Sequence, residues 1–181
     1  AKGMSWHVLG LPDGRGGMPS PWLLHWAQRH GVEQVQQHDW QRPLRGDWMM
    51  QLEEAVLAAP TPVVLVAHSL GCMLTAAWAQ HSQNTHKVQA AFLVAPGDPE
   101  REELRAVLKS WAPIVRKPLP FKSILVGSQN DPYCTAARAQ GLAHDWAAQW
   151  VDLGEAGHIN AETSLGDWPE GHALLQTLLK E

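Results

Sequence analysis

The chain has 181 residues, of which 45% are hydrophobic and 18% are charged, and its formal net charge is −4. This length predicts one domain that buries roughly 70% of its unfolded surface, and the hydrophobic fraction excludes a disordered or fibrous chain. Because 18 Asp and Glu outnumber 14 Lys and Arg and no basic run occurs, a nucleic-acid-binding groove is excluded.

Nothing in the sequence predicts membrane insertion or export. The longest apolar run, Ala90–Ala95, has six residues, whereas a bilayer-spanning helix needs ~18, and no charged-then-apolar leader is visible. Cys72 and Cys134 are too few for a disulfide scaffold, so we expect two small core residues in a cytoplasmic protein. We expect Ala1–Gly3 to be an expression-tag remnant and residues 4–181 to form the domain.

Ten tryptophans and ten histidines are the unusual part of the composition. The tryptophans are spread along the chain at positions typical of helix faces, which favours core packing over sugar binding or base stacking. The histidines show neither an HExxH motif nor paired Cys and His spacing, so the sequence predicts no metal site.

Short apolar runs alternate along the chain with segments of helical periodicity. The runs are typical of strands buried on both faces of a sheet, and in chain order the predicted strands are His7–Leu11, Glu33–Gln37, Val63–Ala67, Val88–Val94, Ser123–Val126 and Trp150–Leu153. Between and after the strands, apolar stripes and their flanking residues predict helices over Trp48–Ala59, Leu70–Trp78, Leu104–Trp111, Thr135–Trp146 and Gly171–Lys180.

Six strands alternating with six helices, five of which have the ranges given above, predict an α/β protein. We expect a single-domain, doubly wound, mostly parallel six-stranded sheet with helices on both faces. In such sheets the ligand lies in loops beyond the carboxyl ends of the strands. Three of these loops contain candidate catalytic residues.

The loop after the third predicted strand has the pattern of a nucleophile elbow. The run Ala67-His68-Ser69-Leu70-Gly71 matches G-x-S-x-G with alanine in place of the first glycine. The turn exposes the serine hydroxyl in a strained conformation, which requires small residues two positions before and two after the serine. Since a strand precedes the turn and a helix follows it, we predict that Ser69 is a nucleophile; helix capping is its alternative role.

A serine nucleophile needs a general base, and His158 is the candidate. It follows the last predicted strand, directly after Gly157, which allows the backbone to turn sharply. His68 precedes Ser69 but is a poor base, because neighbouring side chains along a strand point to opposite sides. We expect His68 to pack beside the strand.

The orienting acid is predicted to be Asp131, in the polar loop after the fifth strand. The chain order Ser, Asp, His is the order expected on this type of sheet. Asp98, which follows the fourth strand, is the alternative acid. Glu155 lies too close to His158 in sequence to orient it readily.

Three motifs, at residues 67–72, 128–134 and 157–160, together resemble the small serine hydrolase family of α/β-hydrolases. That family includes the retinoblastoma-binding-protein-type hydrolases and bacterial proteins of similar length, and the likeness covers nearly the whole chain. The resemblance implies a minimal α/β-hydrolase fold without a lid domain.

The resemblance also implies site residues. Its catalytic triad would be Ser69, Asp131 and His158, and its oxyanion hole would use the N–H of Leu70 and an amide in the loop after the first strand. Relatives usually have Pro-Gly in that loop, whereas this chain has Pro12-Asp13-Gly14. Both Asp13 and Gly14 therefore remain candidate donors.

These residues predict a carboxylesterase-like serine hydrolase that transfers an acyl group from a small ester to Ser69 and then to water, without a cofactor. The partner is a small acyl substrate, with no nucleic acid and no membrane; a protein partner is left open. Residues 96–121 are too few for a large lid, which favours a shallow cleft, and Trp111 either lines that cleft or packs in the core. The alternatives are a peptidase or amidase with the same triad, and a binding protein with an idle triad.

Overall fold

Six parallel strands form one sheet in the computed structural model, which describes residues 6–12, 18–60 and 62–180. The order across the sheet is β2-β1-β3-β4-β5-β6. In chain order the strands are β1 His7–Leu11, β2 Glu33–Gln34, β3 Val63–His68, β4 Val88–Val94, β5 Lys122–Gly127 and β6 Gln149–Asp152. The predicted α/β class and parallel sheet are confirmed.

Five of the strands lie within one residue of their predicted positions, but β2 is shorter than predicted. It was expected over Glu33–Gln37 and contains only two residues, which pair with Leu9 and Gly10 of β1. The reason is that β2 is an edge strand with one neighbour, and β1 itself ends at Leu11. Beyond Gln34 almost no partner backbone remains for a longer ladder.

Helices cover both faces of the sheet. Along β3, Val63, Leu65 and Ala67 face one apolar cluster, while Val64 and Val66 face the other, as the two-residue repeat of a strand requires. The first cluster is completed by α2, α3 and α4, and the second by α1 and α5. The helices are α1 Pro21–His30, α2 Arg45–Ala58, α3 Leu70–His81, α4 Ala136–Trp146 and α5 Pro169–Leu178.

The helix predicted over Leu104–Trp111 does not form. The segment contains only short 3₁₀ turns at Glu102–Leu104 and Lys109–Trp111, so the described residues contain five α-helices rather than six. Val107 is 67% exposed, and of the predicted stripe only Trp111 is buried. An amphipathic stripe stabilises a helix when its whole apolar face is buried. Here only Leu108 and Trp111 of the stripe pack against the core, and Val107 is exposed.

Tryptophans fill the core on both faces of the sheet. Seven of them are fully buried, as the packing interpretation predicted: Trp22, Trp26, Trp48, Trp78, Trp111, Trp146 and Trp168. Cys72 and Cys134 are also buried and not disulfide-bonded. Within the described ranges, no helix is both long enough and apolar enough to cross a membrane.

Candidate active site

Ser69 occupies the sharp turn between β3 and α3. Its φ of 57° and ψ of −115° are strained for a residue with a side chain. The turn depends on Gly71, because a Cβ atom there would overlap the backbone carbonyl of Leu11. The backbone N–H of Ser69 donates to the carbonyl of Val94 (3.0 Å), which holds the turn against the end of β4.

The structure brings Ser69, His158 and Asp131 together at the carboxyl edge of the sheet. The Ser69 hydroxyl lies 2.8 Å from Nε2 of His158, and Nδ1 of His158 lies 2.9 Å and 3.0 Å from the two carboxylate oxygens of Asp131. All three residues are buried. The serine hydroxyl makes no helix-capping hydrogen bond, so the capping alternative for Ser69 is not observed.

Two loops that are joined to each other carry the acid and the histidine. The side-chain oxygen of Asn130 accepts from the N–H of Gly157 (2.8 Å), and the Ser128 hydroxyl accepts from the N–H of Ala156 (2.9 Å). Asp131 is further oriented by the backbone N–H of Tyr133, which donates to its carboxylate (2.8 Å). The loop after β5 therefore supports the loop after β6 at Ala156 and Gly157, directly before His158.

Asp98, the alternative acid, has a different partner. Its buried carboxylate accepts two hydrogen bonds from the Arg138 guanidinium, at 2.9 and 3.0 Å. Arg138 also donates to Glu100, and these two carboxylates raise the pKa of the guanidinium above its ordinary value. The Asp98–Arg138 ion pair connects the loop after β4 to α4. The carboxylate that contacts His158 is that of Asp131.

Of the predicted oxyanion donors, Leu70 lies in the first turn of α3, next to Ser69. Asp13 and Gly14 lie outside the described residues. A helix N-terminus carries unpaired N–H groups and a partial positive charge, which suits a developing oxyanion.

Trp111 does not line a cleft. Its side chain is 1% exposed, packs against Trp48 with ring centroids 5.6 Å apart, and donates its N–H to the carbonyl of Pro43. The substrate-binding role considered for Trp111 is therefore replaced by the core-packing alternative. The reason is that this segment forms no α-helix and places Trp111 against Trp48 of α2.

Two residues at the site were not identified from the sequence. A Cβ atom at Gly97 would lie 2.9 Å from the Ser69 hydroxyl and 3.9 Å from the N–H of Leu70, so Gly97 keeps this space open. Its position directly beyond the carboxyl end of β4 was the available signal. His68 was expected to pack beside the strand; its buried ring lies within hydrogen-bonding distance of Ser20 and of the backbone carbonyl of His158.

Neither cysteine is a competing candidate nucleophile. Burial raises the pKa of Cys72 well above its usual range, and burial also raises the pKa of Cys134, to about 12. Both thiols therefore stay protonated near neutral pH. No three His, Cys, Asp or Glu side chains in the described part of the chain are placed to hold a metal ion together.

Comparisons with known proteins agree with this architecture. A protein from Pectobacterium atrosepticum described as a YdeN-like hydrolase is 28% identical, with a TM-score of 0.82 over 96% of this chain and 90% of its own. The ydeN gene product of B. subtilis is 17% identical, with a TM-score of 0.74 over 97% and 98% of the two chains.

A third structure, described as a hydrolase of the alpha/beta superfamily from Xanthomonas campestris, is 19% identical. It matches with a TM-score of 0.61 over 96% of this chain and 99% of its own. Among curated proteins, none matches the sequence. The family model described as serine hydrolase matches residues 9–177. The chain therefore belongs to the serine hydrolase family.

Proposed function

We propose that this protein hydrolyses small carboxylic esters through an acyl-enzyme intermediate on Ser69. The observation that carries the proposal is the continuous contact from the Ser69 hydroxyl through the His158 ring to the Asp131 carboxylate. A serine, a base and an orienting acid in this geometry form the arrangement required for acyl transfer.

The tautomer of His158 is assigned from its hydrogen-bond partners. A carboxylate can only accept, so Nδ1 carries the proton that is donated to Asp131, and Nε2 is free to accept the proton of Ser69. Ser69 Oγ then attacks the ester carbonyl while Nε2 takes its proton. The tetrahedral oxyanion is stabilised by the N–H of Leu70 and a second amide, for which the loop at Asp13 and Gly14 supplies the candidates.

Collapse of the intermediate breaks the bond to the alkoxy group, which leaves as an alcohol after taking the proton from His158. Water then enters, and His158 removes its proton as the oxygen attacks the acyl carbon. The second collapse returns the proton to Ser69 and releases the acid. Every proton in this cycle passes through Nε2 of His158, so no cofactor is required.

A preference for small acyl groups is supported by the connection between β4 and β5. Residues 96–121 contain no α-helix and are attached to the protein body, where the Ser110 hydroxyl accepts from the N–H of Arg45 (3.0 Å). Five residues further along, the carbonyl of Val115 accepts from the indole N–H of Trp146 (2.7 Å). A segment fixed in this way adds little apolar surface for a long acyl chain.

The test is covalent labelling with a fluorophosphonate, which reacts with activated serine hydroxyls. We expect a single adduct, located on Ser69 by mass spectrometry, and no adduct in Ser69→Ala. Ser82→Ala is the matched control, because Ser82 lies at the far end of α3 and donates to Glu53.

An adduct on Ser82 or Ser128 would contradict the assignment of the nucleophile. A folded protein without any adduct would indicate a binding protein with an idle triad. Turnover of an amide as fast as the ester with the same acyl group would indicate a peptidase or amidase.

A further inference from the structure

Two buried ring N–H groups hold two consecutive carbonyls of the loop that carries His158. Nε2 of His68, at the end of β3, lies 2.9 Å from the carbonyl oxygen of His158 itself. Nε1 of Trp22, in the first turn of α1, donates to the carbonyl of Ile159 at the same distance, 2.9 Å. The donors come from two elements that are remote in sequence from the carbonyls they bond, by 90 residues for His68 and 137 residues for Trp22.

The backbone held by these donors is strained. Ile159 has a φ of 54°, a left-handed conformation that is unfavourable for a β-branched side chain. Its side chain is fully buried, and its N–H closes a tight turn by donating to Ala156 (3.2 Å). Such a conformation persists only where the surrounding structure imposes it.

The orientation of the His68 ring is defined by its two partners. A carbonyl oxygen can only accept, so Nε2 carries the proton and Nδ1 is the acceptor that faces the Ser20 hydroxyl, at 3.2 Å. Ser20 directly precedes α1, which also carries Trp22. His68 thus links the nucleophile turn, the start of α1 and the histidine loop through one buried side chain.

We infer that His68 and Trp22 are positioning residues for His158, which hold its strained loop so that Nε2 faces the Ser69 hydroxyl. The inference rests on the proposed function, in which His158 is the general base. Both donors act on backbone carbonyls, and in the described contacts neither donor's ring nitrogen bonds the Ser69 hydroxyl or the Asp131 carboxylate. Their effect is therefore expected on the chemical step and not on substrate binding.

The matched experiment compares Trp22→Phe with Trp26→Phe. Trp26 lies one turn further along α1 in the same cluster, and its N–H donates to the carbonyl of Asp167 (2.7 Å), away from residues 158 and 159. Each variant removes one indole N–H and leaves an aromatic ring. Because a displacement of about 1 Å lowers rates up to ~100-fold, we expect kcat on p-nitrophenyl acetate to fall at least ~10-fold in Trp22→Phe, with KM nearly unchanged. Trp26→Phe should stay within about 2-fold of the wild type.

His68 is tested by rescue. His68→Leu removes the donor and should lower kcat by about 10-fold or more, whereas His68→Gln keeps an N–H near the position of Nε2 and should recover most of the loss. Thermal unfolding of all four variants shows whether each remains folded. An independent readout is the NMR signal of the His158 Nδ1–H bonded to Asp131, assigned by its absence from His158→Ala.

We expect this signal to be sharp in the wild type, Trp26→Phe and His68→Gln, and to broaden or shift in Trp22→Phe and His68→Leu. Equal kcat values for Trp22→Phe and Trp26→Phe, or an unchanged signal in both donor-deleted variants, would overturn the inference. If the folded wild type neither hydrolyses the ester nor takes the fluorophosphonate, the proposed function fails, and the NMR signal alone decides whether these donors position His158.

Discussion

Two aspartates follow neighbouring strands at the carboxyl edge of the sheet, and their side-chain contacts separate their roles. Asp131, after β5, faces Nδ1 of His158. Asp98, after β4, is paired with Arg138 and accepts the backbone N–H of Glu100 (2.9 Å). The first contact can hold a histidine tautomer, and the second holds a loop.

Exchange of each aspartate for asparagine separates these roles. Asp131→Asn should lower kcat by as much as ~10⁴, because an amide favours the wrong tautomer of His158. Asp98→Asn should leave kcat nearly unchanged but lower the free energy of unfolding by roughly 1–3 kcal/mol, since a charged hydrogen bond to Arg138 is lost. Steady-state kinetics and urea unfolding measure the two effects. If the kinetic losses are reversed, Asp98 is the acid.

Substitution of Gly97 tests whether the space beside the Ser69 hydroxyl is needed for activity. Its φ is not in the left-handed region, so an alanine is compatible with the backbone, but the new Cβ would lie 2.9 Å from the Ser69 hydroxyl. We expect Gly97→Ala to lower kcat/KM at least ~10-fold by displacing the nucleophile from the acyl carbon, with little change in Tm.

The control for this substitution is Gly141→Ala, because a Cβ at Gly141, in α4, would meet no atom within 4 Å. It should keep full activity and stabilise α4 by roughly 0.5–1 kcal/mol. Equal kcat/KM values for the two variants would show that the Ser69 hydroxyl does not need the space at Gly97 for catalysis.

Among the elements, α3 begins directly after Ser69 and is anchored to α2 at its end. The carboxylate of Glu53 in α2 accepts from the indole N–H of Trp78 (2.8 Å), the Ser82 hydroxyl (2.7 Å) and the Asn84 amide (2.6 Å). Burial alone would raise the pKa of Glu53, but the three hydrogen bonds together lower it below its ordinary value. The carboxylate form of Glu53 therefore stabilises the α2–α3 pair.

Glu53→Gln should lower the free energy of unfolding by roughly 1–3 kcal/mol at pH 7. Because the pKa is lower in the folded than in the unfolded state, this contribution is present above about pH 4.5 and is lost as the pH falls below it. Urea unfolding at a series of pH values on both sides of this pKa measures the difference. The neighbouring, exposed Glu54 supplies the control, and Glu54→Gln should change stability by less than ~0.5 kcal/mol. A pH-independent difference for Glu53→Gln would show that its charge does not contribute.

Over the molecule as a whole, both faces of the sheet are used for packing. The two apolar clusters bury nearly all of β3, β4 and β5, and the connection between β4 and β5 packs against α2 through Trp111. The described connections contain no separate layer above the carboxyl edge that could enclose a long ligand. The architecture therefore leaves substrate size to the short loops around Ser69.

A series of p-nitrophenyl esters from acetate to dodecanoate, below their micelle concentrations, tests this consequence. Each buried CH₂ contributes ~0.8 kcal/mol, so a deep pocket would raise kcat/KM roughly fourfold per methylene. We expect the increase to end within about four carbons, because the small loops offer little further apolar surface. A rate that still rises at eight carbons would require a deep acyl tunnel.

The sequence by itself determined the class of fold and the candidate triad. The strands could be predicted because a strand buried on both faces must be apolar at nearly every position, as Val63–Ala67 is. The turn at Ser69 could be predicted because its requirement for small residues on both sides of the serine falls within five consecutive residues. Chain order then pointed to Asp131 and His158. In the structure, the His158 ring lies within hydrogen-bonding distance of both the Ser69 hydroxyl and the Asp131 carboxylate.

Only the tertiary structure decided the features that depend on contacts between residues far apart in sequence. The stripe at Leu104–Trp111 has helical spacing, but only Leu108 and Trp111 of it pack against the core and no α-helix forms. Asp98 is neutralised by an arginine 40 residues away, and His68 bonds a carbonyl 90 residues away. The local periodicity of a sequence predicts which side of a segment is apolar. It does not predict which remote residue contacts a given side chain in the fold. The energy of a buried polar group depends on that contact.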